Sequence, residues 1–179
     1  MGGMLVSTRR KQAVREVLVV MGMALAQAGC GGAEATPQAV ERARGLWDAA
    51  GVRDYDLEWM STGPGRPHYQ VTVRAGQVRA IGMIQPNGQV VPAKPAETRY
   101  YGMEGLFLII RDDLEQLKKA TPFGQPKGTR VVLRFTSDPK YGYPRSYRRD
   151  VLGSPLALGF DVIRFLPDPP RKPPPTANE

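Results

Sequence analysis

Asp138, Tyr141, Tyr143 and Asp150 have the types and spacing to do chemistry. Three of them lie in the stretch Asp138-Pro139-Lys140-Tyr141-Gly142-Tyr143-Pro144, and Asp150 closes the run after it. Two carboxylates and two phenols can line a pocket for a ligand or a cation. The same residues have a plainer use. Asp138 would cap the Asp-Pro turn by accepting backbone N–H groups, and Asp150 would pair with an arginine at the strand end. Turn aspartates commonly bond their own backbone, so the plainer reading is preferred. Asp56 and Glu58 suggest a second chemistry. Together with Asp138 and Asp150 they could supply a glycan hydrolase with its carboxylate pair, held ~5–5.5 Å apart for retention or ~6.5–9.5 Å for inversion. Strand alternation alone puts Asp56 and Glu58 on one polar face, so a solvated face is the simpler account. His68 is the only histidine and Cys30 the only cysteine. A metal site would need carboxylates around one imidazole, and no serine sits in a recognisable nucleophile elbow. No catalytic residue, metal site or cofactor is assigned.

The elements that position these residues are strands and short turns. The 138–144 loop is stiff, because two prolines fix φ and Gly142 can adopt φ > 0. The alternating runs Val131-Leu133-Phe135 before it and Tyr147-Arg149-Val151 after it are expected strands. Tyr55-Leu57-Trp59 alternates with Asp56-Glu58-Met60 as a half-buried strand. Residues 69–74 and 77–84 form a hairpin around Ala75-Gly76, and 158–166 form a last strand. Residues 90–96 are broken by proline and expected to be irregular. Thr36 and Pro37 start a helix that Gly51 ends, over 37–50. Met103, Leu106, Phe107, Ile110, Leu114 and Leu117 make the apolar stripe of a second helix over 103–119, and Thr121-Pro122 stops it. The fold class predicted is α+β, an antiparallel sheet of about five strands with one or two helices packed on one face. Runs of strands joined by short turns argue against a parallel sheet.

The start of the chain carries a different signal. Arg9, Arg10, Lys11 and Arg15 precede the apolar segment 17–26, and Gln27-Ala28-Gly29 lead into Cys30. This is the layout of a secretory signal, too short to span a bilayer as a stable helix. Twin arginines stand at 9 and 10, but the apolar residues of a twin-arginine signal do not follow them, so general secretion is expected. Leu25 to Cys30 resembles the lipobox of bacterial lipoproteins, in which signal peptidase II cuts before a lipidated cysteine; Gln27 stands where a leucine is usual. The resemblance implies that residues 1–29 are removed and that acyl chains on Cys30 hold the protein to a membrane. Each buried CH₂ adds ~0.8 kcal/mol, and two or more chains make such anchoring stable. The expected order is a signal over 1–29, a tether over 30–36, one domain over 37–166 and a proline-rich tail over 167–179.

The formal charge is +8, but residues 1–29 hold four of the 25 bases and one of the 17 acids. That leaves 21 bases against 16 acids, or +5, for the exported part. An exported basic domain has no natural nucleic-acid partner; anionic headgroups or envelope polymers are the expected attraction.

Three features occur together in one order. They are the hairpin 71–78, the helix signature Leu106-Phe107 with Ile110, and Asp138 followed by Tyr141-Gly142-Tyr143-Pro144 and Asp150. Together they resemble an uncharacterised family of small bacterial secreted proteins and lipoproteins, over roughly Val40 to Phe165. The resemblance implies a compact α+β domain with no assigned activity. Many members carry cysteines where this chain has Gly63-Pro64-Gly65-Arg66-Pro67, which implies that those cysteines are structural staples. Arg149 stands where the family pattern has an apolar residue. The expected function is a lipid-anchored, non-catalytic module of the cell envelope on its periplasmic side, binding an envelope protein or polymer. The alternative is an envelope glycan hydrolase.

Overall fold

Thr36 opens helix α1 (Pro37–Ala50) as a side-chain cap, accepting the Ala39 N–H at 3.2 Å. Pro37 takes the first helical position, where a missing N–H costs nothing. Gly51 ends the helix at φ 61°. Val40, Ala43 and Trp47 are its buried stripe. The computed structural model describes residues 32–155 and 157–168. The expected signal, Cys30 and nearly all of the proline-rich tail lie outside the described residues.

Helix α2 (Met103–Gln116) buries Met103, Leu106, Phe107, Ile110 and Leu114. It stops short of the expected Lys119. The Lys118 and Lys119 N–H groups turn to the carbonyls of Glu115 and Gln116, at 3.2 and 3.1 Å. The last turn tightens in this way before the proline at 122 excludes helix. The start of α2 is held from outside the helix. Gly102 offers no side-chain cap, and the Tyr55 hydroxyl, on the sheet, accepts the Met103 N–H at 2.9 Å.

The strands are β1 (Ala33–Glu34), β2 (Tyr55–Ser61), β3 (His68–Arg74), β4 (Gln77–Ile84), β5 (Val90–Pro92), β6 (Val131–Ser137), β7 (Pro144–Val151) and β8 (Ala157–Pro167). They form one antiparallel sheet in the order β1-β6-β7-β8-β2-β3-β4-β5. The α+β class therefore holds, but the sheet has eight strands, not about five. The two unexpected strands are its edges. Ala33 and Glu34, expected as tether, pair with Phe135 and Arg134. Val90–Pro92, expected as irregular, pairs with residues 82–84 of β4. Each edge strand is two or three residues long and exposed, too short to display an alternation.

Two meanders, β2–β5 and β6–β8, join where β8 pairs with β2. Both helices lie on one face. Leu57, Val71, Val73, Leu133, Tyr147 and Phe160 point into it and meet Met103, Leu106 and Ile110, all at 2 % exposure or less. Truncating one such residue to alanine costs roughly 2–5 kcal/mol. The Ala75-Gly76 turn has φ of 54° and 74°. The Asp54 carboxylate accepts the Ala75 N–H and the Arg53 carbonyl accepts that of Gly76, which offsets the strain at a non-glycine residue.

Candidate functional site

The Tyr-Gly-Tyr-Pro loop is a buckle between β6 and β7. Asp138 Oδ1 accepts the N–H groups of Lys140 at 2.9 Å and Tyr141 at 2.7 Å. The Asp138 N–H donates to the Tyr143 carbonyl, and its carbonyl accepts from Gly142. Tyr141 and Tyr143 lay their rings against Phe165, at centroid distances of 5.7 and 4.6 Å. Burial, and then the Asp138 charge, raise the Tyr143 phenol. Asp150 is not part of this group. Asp138 follows Ser137, which faces Pro144 at one end of the β6–β7 ladder, whereas Asp150 faces Val132 at the other. Six strand positions, ~20 Å, separate the two ends.

Asp150 lies on the open face of the sheet, ion-paired to Arg134. Asp56 and Glu58 share that face. Glu58 sits between His68 Nε2 at 2.9 Å and Arg164 Nε at 3.1 Å. Asp56 Oδ1 lies 3.2 Å from Arg74 Nη2, close enough for ion pairing but without hydrogen-bond alignment. Arg148 binds Asp161 in the same carpet of charge. Each carboxylate of the expected hydrolase set thus has a cation or backbone N–H groups against it, and Asp150, opposite Ala157 on β8, stands seven strand positions, ~23 Å, from Glu58, opposite Arg164. Among the described residues, no group of three or more His, Cys, Asp or Glu is placed to hold a metal ion.

The helix-covered side holds a more distinctive arrangement, a cleft along the flank of α2. Its wider part, about 400 Å³, is lined by Trp59, Pro95, Ala96, Glu97, Tyr100, Tyr101 and Ile109. Its narrower part, a hollow of about 200 Å³, shares the walls Trp59 and Ile109 and is lined further by Ser61, Asp113, Tyr147 and Arg149. Trp59 and Ile109 belong to both, so the two parts meet at one indole.

The wider part is aromatic. Trp59 stacks at 4.7 Å on Tyr69 and 5.9 Å on Tyr101, and Tyr69 meets Tyr101 edge-on at 5.0 Å. The indole N–H donates to the Tyr101 carbonyl at 3.1 Å, so its orientation is fixed. Burial and the neighbouring Tyr101 raise the Tyr69 phenol. The 98–101 turn that carries Tyr100 and Tyr101 is clamped to α2 through Gly105, where a Cβ would meet the Arg99 carbonyl at 2.2 Å.

The narrower part is ionic. Asp113 accepts the Tyr147 hydroxyl at 2.7 Å and Arg149 Nη1 at 2.9 and 3.0 Å. The Arg149 guanidinium lies 4.3 Å from the Phe123 ring centroid. Burial raises the Asp113 carboxyl, opposed by the Tyr147 hydrogen bond and Arg149. Burial and then the Asp113 charge push the Tyr147 phenol far above its ordinary value. Arg149 therefore points inward beside Tyr147, with its charge answered from α2.

This cleft was not among the sequence candidates. Asp113 follows Ile109 by one helical turn at the margin of the apolar stripe, and Tyr100-Tyr101 stand in an irregular run. The adjacent tyrosines were the available signal, but their convergence on Trp59 depends on pairing between distant segments. No protein-family model matches the chain, and no curated protein matches it.

Proposed function

We propose that this chain is an exported, lipid-anchored envelope protein of the small secreted family it resembles, and that its domain is a non-catalytic module that binds an envelope glycan in the Trp59 cleft. The observation that carries this reading is the shared wall: one fixed indole joins an aromatic trough to a paired Asp-Arg-Tyr group. Ligand seats combine a largely apolar or aromatic lining with a few oriented polar groups. Sugar rings offer a C–H face to aromatic rings and hydroxyls to carboxylate and guanidinium, so the cleft's two ends match the two sides of a sugar. The basic balance of the exported part would favour anionic envelope polymers.

The test is a titration of the full-length mature protein with soluble peptidoglycan glycan strands, followed by tryptophan fluorescence. Trp59 emission should change saturably, and Tyr101→Ala should weaken binding at least tenfold while leaving the circular dichroism spectrum intact. Equal binding by wild type and Tyr101→Ala, or no binding by either, would sink the cleft assignment. New reducing ends in the mixture would instead favour the hydrolase alternative.

A further inference from the structure

The described chain begins beside the Tyr-Gly-Tyr-Pro loop. Gly32 lies against Thr136, where a Cβ would meet its methyl carbon at 2.8 Å, and Thr136 stands two positions before Asp138. Two peptide units separate Cys30 from Gly32, so covalent reach keeps their Cα atoms within about 8 Å. Helix α1 returns to the same end, because Gly142 packs on Ala43, Leu46 and Trp47. Leu46 is 48 % exposed there.

Around it, Lys140 Nζ rests 4.7 Å from the Tyr141 ring centroid, and Arg145 is exposed beside the half-buried Tyr143. Of the acids of this end, Asp48 is ion-paired to Arg44 and Asp168 to Arg74, while Asp54 and Asp138 accept backbone N–H groups. Lys140 and Arg145 are left facing outward.

We infer that this end of the domain, formed by Leu46, Lys140, Tyr141, Tyr143 and Arg145, docks on the anionic surface of the membrane that holds the acyl anchor. The inference rests on the lipid-anchored reading of Cys30. With so short a reach, the domain has no freedom to stand away from the bilayer. The surface brought against the headgroups is an apolar side chain with tyrosines and cations, the composition that suits the interface of an anionic leaflet. β7 then runs outward from Pro144, and its far end carries Arg149, opposite Leu158. The narrower part of the Trp59 cleft reaches that far end at Arg149 and Leu158.

The experiment uses the full-length mature protein, isolated with its native N-terminus and reconstituted on vesicles of phosphatidylethanolamine containing phosphatidylglycerol. Lysines are labelled with an amine-reactive ester and read by mass spectrometry, which also reports the mass on Cys30. Acylated Cys30 with Lys140 labelled several-fold more slowly than Lys118 and Lys127, and that protection lost in Leu46→Glu, is the expected result. Acylated, vesicle-bound protein whose Lys140 labels as fast as Lys127 would overturn the docking and leave the anchor standing. Protection that survives Leu46→Glu would overturn the assigned surface. A free Cys30 thiol would remove the anchor and the docking together.

Discussion

A Cβ placed on Gly142 would meet the carbonyl oxygen of Ala43 at 2.2 Å. The loop between β6 and β7 and the middle of α1 touch backbone to backbone, with no side chain between them. Gly142 also has φ 76°, so glycine is required there twice, for its conformation and for its lack of volume. The stiff composition of this loop serves to seat a helix.

Gly142→Ala should destabilise the domain by roughly 2–4 kcal/mol, since left-handed strain and overpacking both act. Gly128→Ala is the control. Its φ is 88°, but nothing lies within 4 Å of a Cβ there, so only the conformational part, about 1 kcal/mol, should appear. Chemical denaturation of the two variants checks this. Equal losses would mean that the helix contact contributes nothing.

Tyr55 predicts an alkaline limit to stability. Burial pushes its phenol up to about 12, against the hydrogen bond from the Met103 N–H, which lowers it. In the unfolded chain the phenol titrates near its ordinary value of ~10. Between those values the unfolded state releases its proton first, so stability is full below the unfolded value and falls as pH rises toward the folded one. The loss from this group should approach ~2–3 kcal/mol. Tyr55→Phe should be less stable at neutral pH by ~1 kcal/mol, for the lost bond to α2, and its stability should fall less steeply above pH ~10. Denaturation midpoints across the alkaline range check this; parallel curves for the two proteins would contradict it.

Asp113 and Arg149 predict a non-additive pair. Their side chains are 14 % and 21 % exposed, so either one left alone is a charge facing apolar surroundings. Asp113→Leu should cost roughly 2–4 kcal/mol. Adding Arg149→Met should recover part of that loss, because the orphaned charge is removed, while the buried Tyr147 hydroxyl still lacks its acceptor. A double-mutant cycle by denaturation measures the coupling. Additive losses would show that the two charges do not depend on each other.

The helices were legible because their signals are local. Thr36, Pro37 and Gly51 bound α1 within its own sequence, and the α2 stripe repeats over consecutive turns. The six longer strands were legible from alternation in the same way. β1 and β5 were not, since an edge strand of two or three residues bonds to one neighbour and has no buried face to mark it. The loop before Pro67 is held mostly by backbone groups, with the Ser61 hydroxyl also accepting the Gly63 N–H at 3.3 Å. The Ser61 N–H meets the Pro67 carbonyl at 2.9 Å, and the Thr62 N–H reaches Gly159 on β8 at 2.9 Å. That second bond was invisible in the sequence.

The candidate residues divide along the same line. Asp138 as a turn cap follows from one aspartate and the N–H groups two and three positions on, so sequence sufficed. Whether Asp138 and Asp150 share a site depends on strand length and register, and the ladder places them at opposite ends. Arg149 looked misplaced in its strand, because its answer, Asp113, lies on a helix 36 positions away.

The sequence by itself determined the limits of α1, the start of α2, the hairpin, the α+β class and the turn chemistry of Asp138, because each depends on residues within a few positions of one another. Only the tertiary structure decided that the sheet is eight strands wide, that the Tyr-Gly-Tyr loop buckles down α1, and that Trp59 joins an aromatic trough to Asp113 and Arg149. Those relationships arise from packing across long sequence separations, where shape complementarity and desolvation choose partners that no local pattern names.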